Sequence, residues 1–367
     1  MSAVVVAPYR DHLAQLDLLL RGWGMPPDYA ARTAEVMAWA DLHGIDSHGI
    51  SMVPAYHVRV RDGRLRMAAR PSVLRETPVS ALIDGDYGLG HEPARQAMEI
   101  AIRKAQTTGV GVVSVRHSAH FGACGFYVRM ATDAGLVGMV ATSAVTPQVA
   151  PAGSAAPRLG TDPWAFGAPG QEGQPFVLDM ATTTVAAGKI RNKANENLPA
   201  PPGWLLDKAG QPSTDPREAS QKGGSLTWLG GSPEGSNHKG YGLAVMVNIL
   251  GACLSGATLI TDPKRARQPA HDDVGHFFLA LDPGLFRTAE EFRADVAGLC
   301  NVLRATPPLD PARPVMVAGD PERTAAARRM QDGIPTGRNL LAEVRTIAEE
   351  SGVPWLLAGD PVAGTAG

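Results

Sequence analysis

The chain has 367 residues, enough for about two or three packed units, and 34 Lys and Arg against 36 Asp and Glu leave a formal charge of −2. With no long block of one sign, neither nucleic acid nor an anionic membrane surface is implied as a partner, and the apolar runs, including the short VVVA at the N-terminus, end well before the roughly 18 residues a membrane span requires. Cys124, Cys253 and Cys300 are odd in number, far apart and without CxxC spacing, against a disulfide framework or a zinc site; a reducing cytoplasm fits them, with small molecules or other subunits as the expected partners.

Residues 11–43 read as helices: Pro26, Pro27 and Asp28 mark a helix start, Val36, Met37 and Ala40 an apolar stripe, and Gly44 a stop. Pro54 is tolerable only near the first turn of a further helix, so Ser47, His48 and Gly49 fall in a break between helical segments. There the free backbone N–H groups of residues 47–51 lie beside an imidazole and could receive an anion. Taken alone, the same three residues also fit a Ser47 helix cap and a His48 that fills a corner.

Residues 92–107 read as a helix and 110–115 (VGVVSV) as an apolar strand, which runs into a loop holding His117 and His120. Gly122, Ala123 and Gly125 then permit close backbone approach, for a flat ring or a phosphate or simply for packing. Further strands are expected at 136–142 and 175–179. Asp179 ends the second of these, and Thr182 to Thr184 are expected to open the next helix; the carboxylate either orients a histidine or caps that helix, and the hydroxyls could hold phosphate. The Pro/Gly-rich segment Pro199 to Pro216 sustains neither period and reads as a surface excursion. EGSNHKGYGLA sets Lys239 among glycines at another helix start, a second plausible anion site, and an apolar helix runs on from Gly240. A buried strand at 277–282 and helices at 289–303 and 338–350 follow, with a loosely ordered tail after Pro354.

GxGxxG after a strand, with an acidic residue some 20 positions on, is missing: GLGHEP and GVGVVS do not fit. GxxxxGK[ST], HExxH and GxSxG are missing too, against P-loop, zincin and α/β-hydrolase chemistry.

Seven motifs stand in order along the chain: GIDSHG at 44–49, HFGACGFY at 120–127, LGTDPWAFGAP at 159–169, LDMATTTVAAGKI at 178–190, LDKAGQPSTDP at 206–216, PEGSNHKGYGLA at 233–244 and GHFFLALDP at 275–283. With them the chain resembles the malate/L-lactate dehydrogenase family of NAD(P)-dependent oxidoreductases, over roughly residues 30–340. The resemblance implies an α/β fold with a non-Rossmann NAD(P)-binding domain on a largely antiparallel sheet, residues 77–299, beside a helical substrate and dimerisation region built from 1–76 and 300–367. It implies a homodimer or higher homo-oligomer, NAD or NADP as cofactor, and a small 2-oxo or 2-hydroxy acid as substrate; a reductase of a cyclic 2-imino acid is the alternative.

Carried over by motif, Ser47, His48 and Asp179 form the relay and proton-donor set. His120, Phe121, Gly122, Ala123, Cys124, Ser143, Met180, Ala181, Thr182, His238, Lys239, Gly319 and Asp320 are similar to cofactor-contacting positions, although Gly319 and Asp320 stand in AGD where relatives often have PGE. Physically, an imidazole suits proton delivery near neutrality, and an adjacent Asp179 would keep His48 charged while Ser47 holds its ring. Three positions depart from the family. Met52 replaces an arginine that can grip a substrate carboxylate, leaving Arg59 as the nearest substitute and suggesting apolar space that favours substrates bulkier than pyruvate. His117 and Ala119 stand where asparagines are more usual. Two other classes remain open on residues alone: a metal-dependent hydrolase or lyase using His43/His48 and His117/His120, and a nucleotide-binding protein without turnover.

Overall fold

The computed structural model describes residues 4–144, 146–195, 197–262, 270–357 and the backbone of 361–362. The chain opens with strand β1 (Val4–Ala7), helices α1 (Tyr9–Gly22) and α2 (Pro27–Leu42), a 3-10 turn at Ile50–Met52 and α3 (Val53–Arg61). Then come β2 (Ser72–Glu76), β3 (Ser80–Asp84), α4 (His91–Thr108), β4 (Val110–Ser118), α5 (Cys124–Asp133), β5 (Val137–Thr142), β6 (Trp164–Gln171) and β7 (Gln174–Met180). Helix α6 (Ala187–Asn195) is followed by three two-residue strands, β8 (Leu205–Leu206), β9 (Pro212–Ser213) and β10 (Ser225–Leu226). The chain closes with α7 (His238–Asn248), β11 (Val274–Leu281), α8 (Ala289–Arg304), α9 (Asp320–Asp332), β12 (Ile334–Gly337), α10 (Arg338–Glu350) and β13 (Pro361–Val362).

The main sheet has seven strands in the order β2-β3-β4-β11-β5-β6-β7, all paired antiparallel except β3 with β4, where α4 supplies the crossover. Alternation along β11 assigns its two faces: Phe278 and Ala280 join the core under α4 and α5, whereas Phe277 and Leu279 pack with Val247 on the α7 side. Each buried aromatic of this kind contributes about 2 kcal/mol. The chain ends meet outside the sheet. β1 lies between β12 and β13, and Leu341, Val344 and Ile347 of α10 share one core with Leu16, Leu19, Ala34 and Met37 of α1 and α2.

Three expectations need correction. Thr182 to Thr184 do not open a helix: Thr183 bridges to Trp228 and the Thr184 N–H bonds the Thr227 carbonyl at 2.9 Å, so the helix waits until Ala187. The excursion from Pro199 to Pro216 contributes β8 and β9 to a three-stranded sheet with β10. Residues 354–357 are tied down, since Gln15 donates to the Pro354 carbonyl at 3.2 Å and accepts from the Leu356 N–H at 2.7 Å, with Leu357 buried; 358–360 and 363–367 lie outside the described residues. The large sheet also begins at Ser72, before residue 77, and α8 crosses position 300 while packing on β6.

Candidate active site

The break at GIDSHG is built by the end of α2. His43 closes the helix, Gly44 takes φ +78, and the His48 N–H returns to the Ile45 carbonyl at 3.0 Å. Asp41, buried in the last turn of α2, accepts the Ile50 N–H at 2.9 Å and lies 3.5 Å from the buried His12 ring; burial raises its pKa against the opposing pull of His12. Gly49 passes so close that a Cβ there would stand 1.9 Å from Asp41 Oδ1. Arg329 of α9 reaches across to the Asp41 carbonyl at 2.5 Å and pairs with Asp46, so the C-terminal half of the chain braces the turn.

Within this turn Ser47 Oγ and His48 Nδ1 are 2.7 Å apart, and His48 Nε2 makes no hydrogen bond among the described residues. Burial pushes the His48 pKa down to about 4, with the positive charge of Arg191 adding to the effect. The His48 ring stacks near His120, with centroids 5.4 Å apart. His120 Nδ1 accepts from the Gly122 N–H at 3.3 Å and lies 2.5 Å from Tyr56 Oη; with Nδ1 accepting, the tyrosine hydroxyl donates to it and the ring proton sits on Nε2. Tyr56 is fully buried and its pKa is raised by burial, which keeps that donor protonated. Behind them lies His91, at the start of α4, with ring centroids 5.9 Å from Tyr56 and 6.5 Å from His120. Burial lowers its pKa to about 3, and neither ring nitrogen has a partner among the described residues.

Asp179 makes its contact elsewhere, with no hydrogen bond or ion pair to His48 or His120 among the described residues. It ends β7 inside, accepts the Gly125 N–H at the start of α5 at 2.7 Å, and lines a separate cavity with Trp39, His43, Arg129 and Gly319. Burial raises its pKa to about 6 against the opposing Gly125 N–H, and no hydrogen bond or ion pair joins it to His48 among the described residues. Replacing Asp179 with Asn keeps an acceptor for Gly125 and removes a buried charge. A raised carboxyl pKa weakens the fold as pH climbs from about 4 to about 6, by up to about 3 kcal/mol. Urea unfolding at pH 4 and pH 7 should therefore show the variant gaining on the wild type at the higher pH, with an unmoved pH–rate profile.

The positions matched to cofactor contacts divide into groups. Phe121 is a core ring, stacked on buried His276 at 4.6 Å, and Ala123 and Cys124 are buried at the start of α5, the thiol pKa raised by burial. Ser143 Oγ ties the strand ends by accepting the Gly275 N–H at 3.1 Å. Met180 and Ala181 are half-buried, and Thr182 bonds the Thr161 carbonyl through both N–H and hydroxyl. His238 and Lys239 are exposed at the start of α7, brought beside that segment because Gly240 packs against the Thr182 carbonyl. Gly319 lines the cavity with Asp179, while Asp320 is taken up by Arg304 and Arg323.

The model of the malate/L-lactate dehydrogenase family matches residues 9–345. The chain belongs to this family. It is 36% identical to the malate dehydrogenase of Pyrococcus abyssi over 91% of either chain, and 34% identical to the L-sulfolactate dehydrogenase of Methanocaldococcus jannaschii over 95% of this chain and 98% of that one. The crystal structure of malate dehydrogenase from Entamoeba histolytica superimposes with a TM-score of 0.91 at 30% identity, covering 96% of this chain and 99% of the other. The fold is thus that of a malate/L-lactate dehydrogenase family enzyme, and the chain is a dehydrogenase of that family.

Against this family background, Met52 is buried in the helical core, so it leaves no apolar space in a cleft, and an expectation of bulky substrates has no basis in it. Arg59 is not a free clamp either, since Asp272 stands 3.5 Å from its guanidinium and also pairs with Arg64. His117 turns away from His120 to bond Asp84 at 2.8 Å and stack on Tyr87 at 4.5 Å. Among the described residues no group of three or more His, Cys, Asp or Glu is arranged to hold a metal ion. Sequence reading overlooked Tyr56, His91, His276 and Arg329; only the histidines carried any signal, as polar residues beside GLG and at the head of an apolar strand.

Proposed function

We propose that this dehydrogenase moves a proton and a hydride between a nicotinamide cofactor, NAD or NADP, and a small 2-oxo or 2-hydroxy acid, with His48 Nε2 handling the proton. The carrying observation is the fixed His48 ring: Nδ1 is held by Ser47 Oγ while Nε2, next to His120, has no partner among the described residues. The relatives named for malate and sulfolactate support the substrate class.

For Nε2 to accept a proton, Nδ1 must carry the other and donate it to Ser47 Oγ, so the serine selects the useful tautomer. With its pKa lowered to about 4, His48 is neutral at pH 7 and ready to take the hydroxyl proton of a hydroxy acid. In the reverse direction the same nitrogen delivers a proton as charge builds on the carbonyl oxygen. His120, its Nδ1 satisfied by Tyr56 and Gly122, presents an Nε2–H that can donate to the same oxygen. The residues present fit the cofactor: exposed Lys239 heads α7 with no ion pair among the described residues, and Gly240 seats that helix end against Thr182. Lys239, His238 and the Met180–Thr182 backbone would hold its phosphates and ribose. When bound, the cofactor supplies or accepts the hydride.

Turnover of pyruvate, oxaloacetate, longer 2-oxo acids and cyclic imines, followed by NADH and NADPH absorbance, tests this reading. Reduction of 2-oxo acids is expected; a protein that reduces only the imines overturns the substrate class. Lys239→Ala is expected to raise the cofactor Kd about tenfold while changing substrate KM less. Fluorescence titration with unchanged cofactor affinity would remove Lys239 from that role.

A further inference from the structure

We propose that Arg191 is the cation that receives the substrate's carboxylate beside His48, taking over from the buried Met52 position. The inference rests on the reading of the substrate as a 2-oxo or 2-hydroxy acid. Helix α6 comes down on the SHG turn through Gly188, where an added Cβ would stand 2.8 Å from Ser47 Cβ. Arg191 follows three residues later and therefore shares the face of α6 that meets this turn, whereas Lys189 and Lys193 fall on other faces.

Arg191 is exposed and makes no hydrogen bond or ion pair among the described residues, so its whole guanidinium fork is available. Other cations in the region have partners: Arg59 stands 3.5 Å from Asp272, and Arg329 is held by Asp46 and the Asp41 carbonyl. Burial is the main reason the His48 ring is less basic, and the positive charge of Arg191 adds to it. A planar guanidinium fork on the face of α6 that meets the SHG turn suits bidentate capture of a carboxylate, which would hold the adjacent carbon near Nε2.

Oxamate, an unreactive isostere of pyruvate, serves as the probe in calorimetric titration of the protein saturated with NADH or NADPH. Arg191→Gln is expected to weaken oxamate binding by about 10- to 100-fold, Arg191→Lys by less, and Lys193→Gln by no more than about twofold. Melting temperature should not move, because Arg191 has no partner to lose. Oxamate affinity unchanged in Arg191→Gln overturns the assignment, as does an equal loss in Lys193→Gln, which would mean diffuse attraction by α6. Arg191-dependent oxamate binding without turnover of any 2-oxo or 2-hydroxy acid would overturn the functional reading alone. Turnover with Arg191-independent binding would overturn the clamp alone.

Discussion

His48→Ala lowers kcat by about 10²- to 10⁴-fold, the usual contribution of a general acid or base, while cofactor affinity stays near that of the wild type. The expectation follows from the His48 ring, whose Nδ1 is held by Ser47 Oγ while Nε2 makes no hydrogen bond among the described residues. Steady-state kinetics and fluorescence titration on the same preparation check it. Turnover within about threefold of wild type would remove His48 from the chemistry.

The pH dependence gives the same residue a second, independent test. Because His48 is lowered to about 4 rather than raised, the free enzyme carries the neutral imidazole throughout the range above pH 5. Oxidation of a hydroxy acid needs that neutral form, so its kcat/KM should stay flat between pH 5 and 8. Reduction needs the imidazolium, whose fraction grows about tenfold for each pH unit lost, and its kcat/KM should rise accordingly without levelling. A plateau in reduction near pH 6.5 would mean an ordinary histidine, held charged by a partner that the turn at Ser47 and His48 does not show.

What could be read from the sequence was local. Gly44 and Pro54 announced the break that isolates Ser47 and His48, and alternating apolar residues announced β4, β5 and β11, because these signals act within a few residues of themselves. The mainly antiparallel main sheet followed from the motif resemblance rather than from periodicity. What failed was long-range. Thr182 to Thr184 carry helix-start chemistry, yet a bridge to Trp228 holds them extended. Asp179 and His48 look like partners by motif, but which carboxylate meets which ring depends on how β7 docks on α5, and there the Gly125 N–H takes the carboxylate. Arg329 braces Asp46 from 283 positions away, and no local pattern could point to it.

Gly49→Ala should damage both stability and turnover, although the change adds a single methyl group. A Cβ at this position would lie 1.9 Å from Asp41 Oδ1 and 2.1 Å from its Cγ, so either the turn or the carboxylate has to move. Asp41 is fully enclosed between His12 and the Ile50 N–H, which leaves it no free direction, and displacing it breaks the 2.9 Å bond that fixes the turn after His48. Overpacking together with a lost charge-assisted hydrogen bond costs about 3 kcal/mol. A shift of the turn by about 1 Å also misplaces His48 enough to lower kcat by about 10- to 100-fold at temperatures where the variant is still folded. Gly298→Ala is the matching control, since a Cβ there meets nothing within 4 Å inside α8 and should raise stability by about 0.5–1 kcal/mol. Calorimetric melting and kcat measured on both variants decide the matter: if Gly49→Ala melts like Gly298→Ala and turns over normally, the Asp41 contact does not hold the catalytic turn.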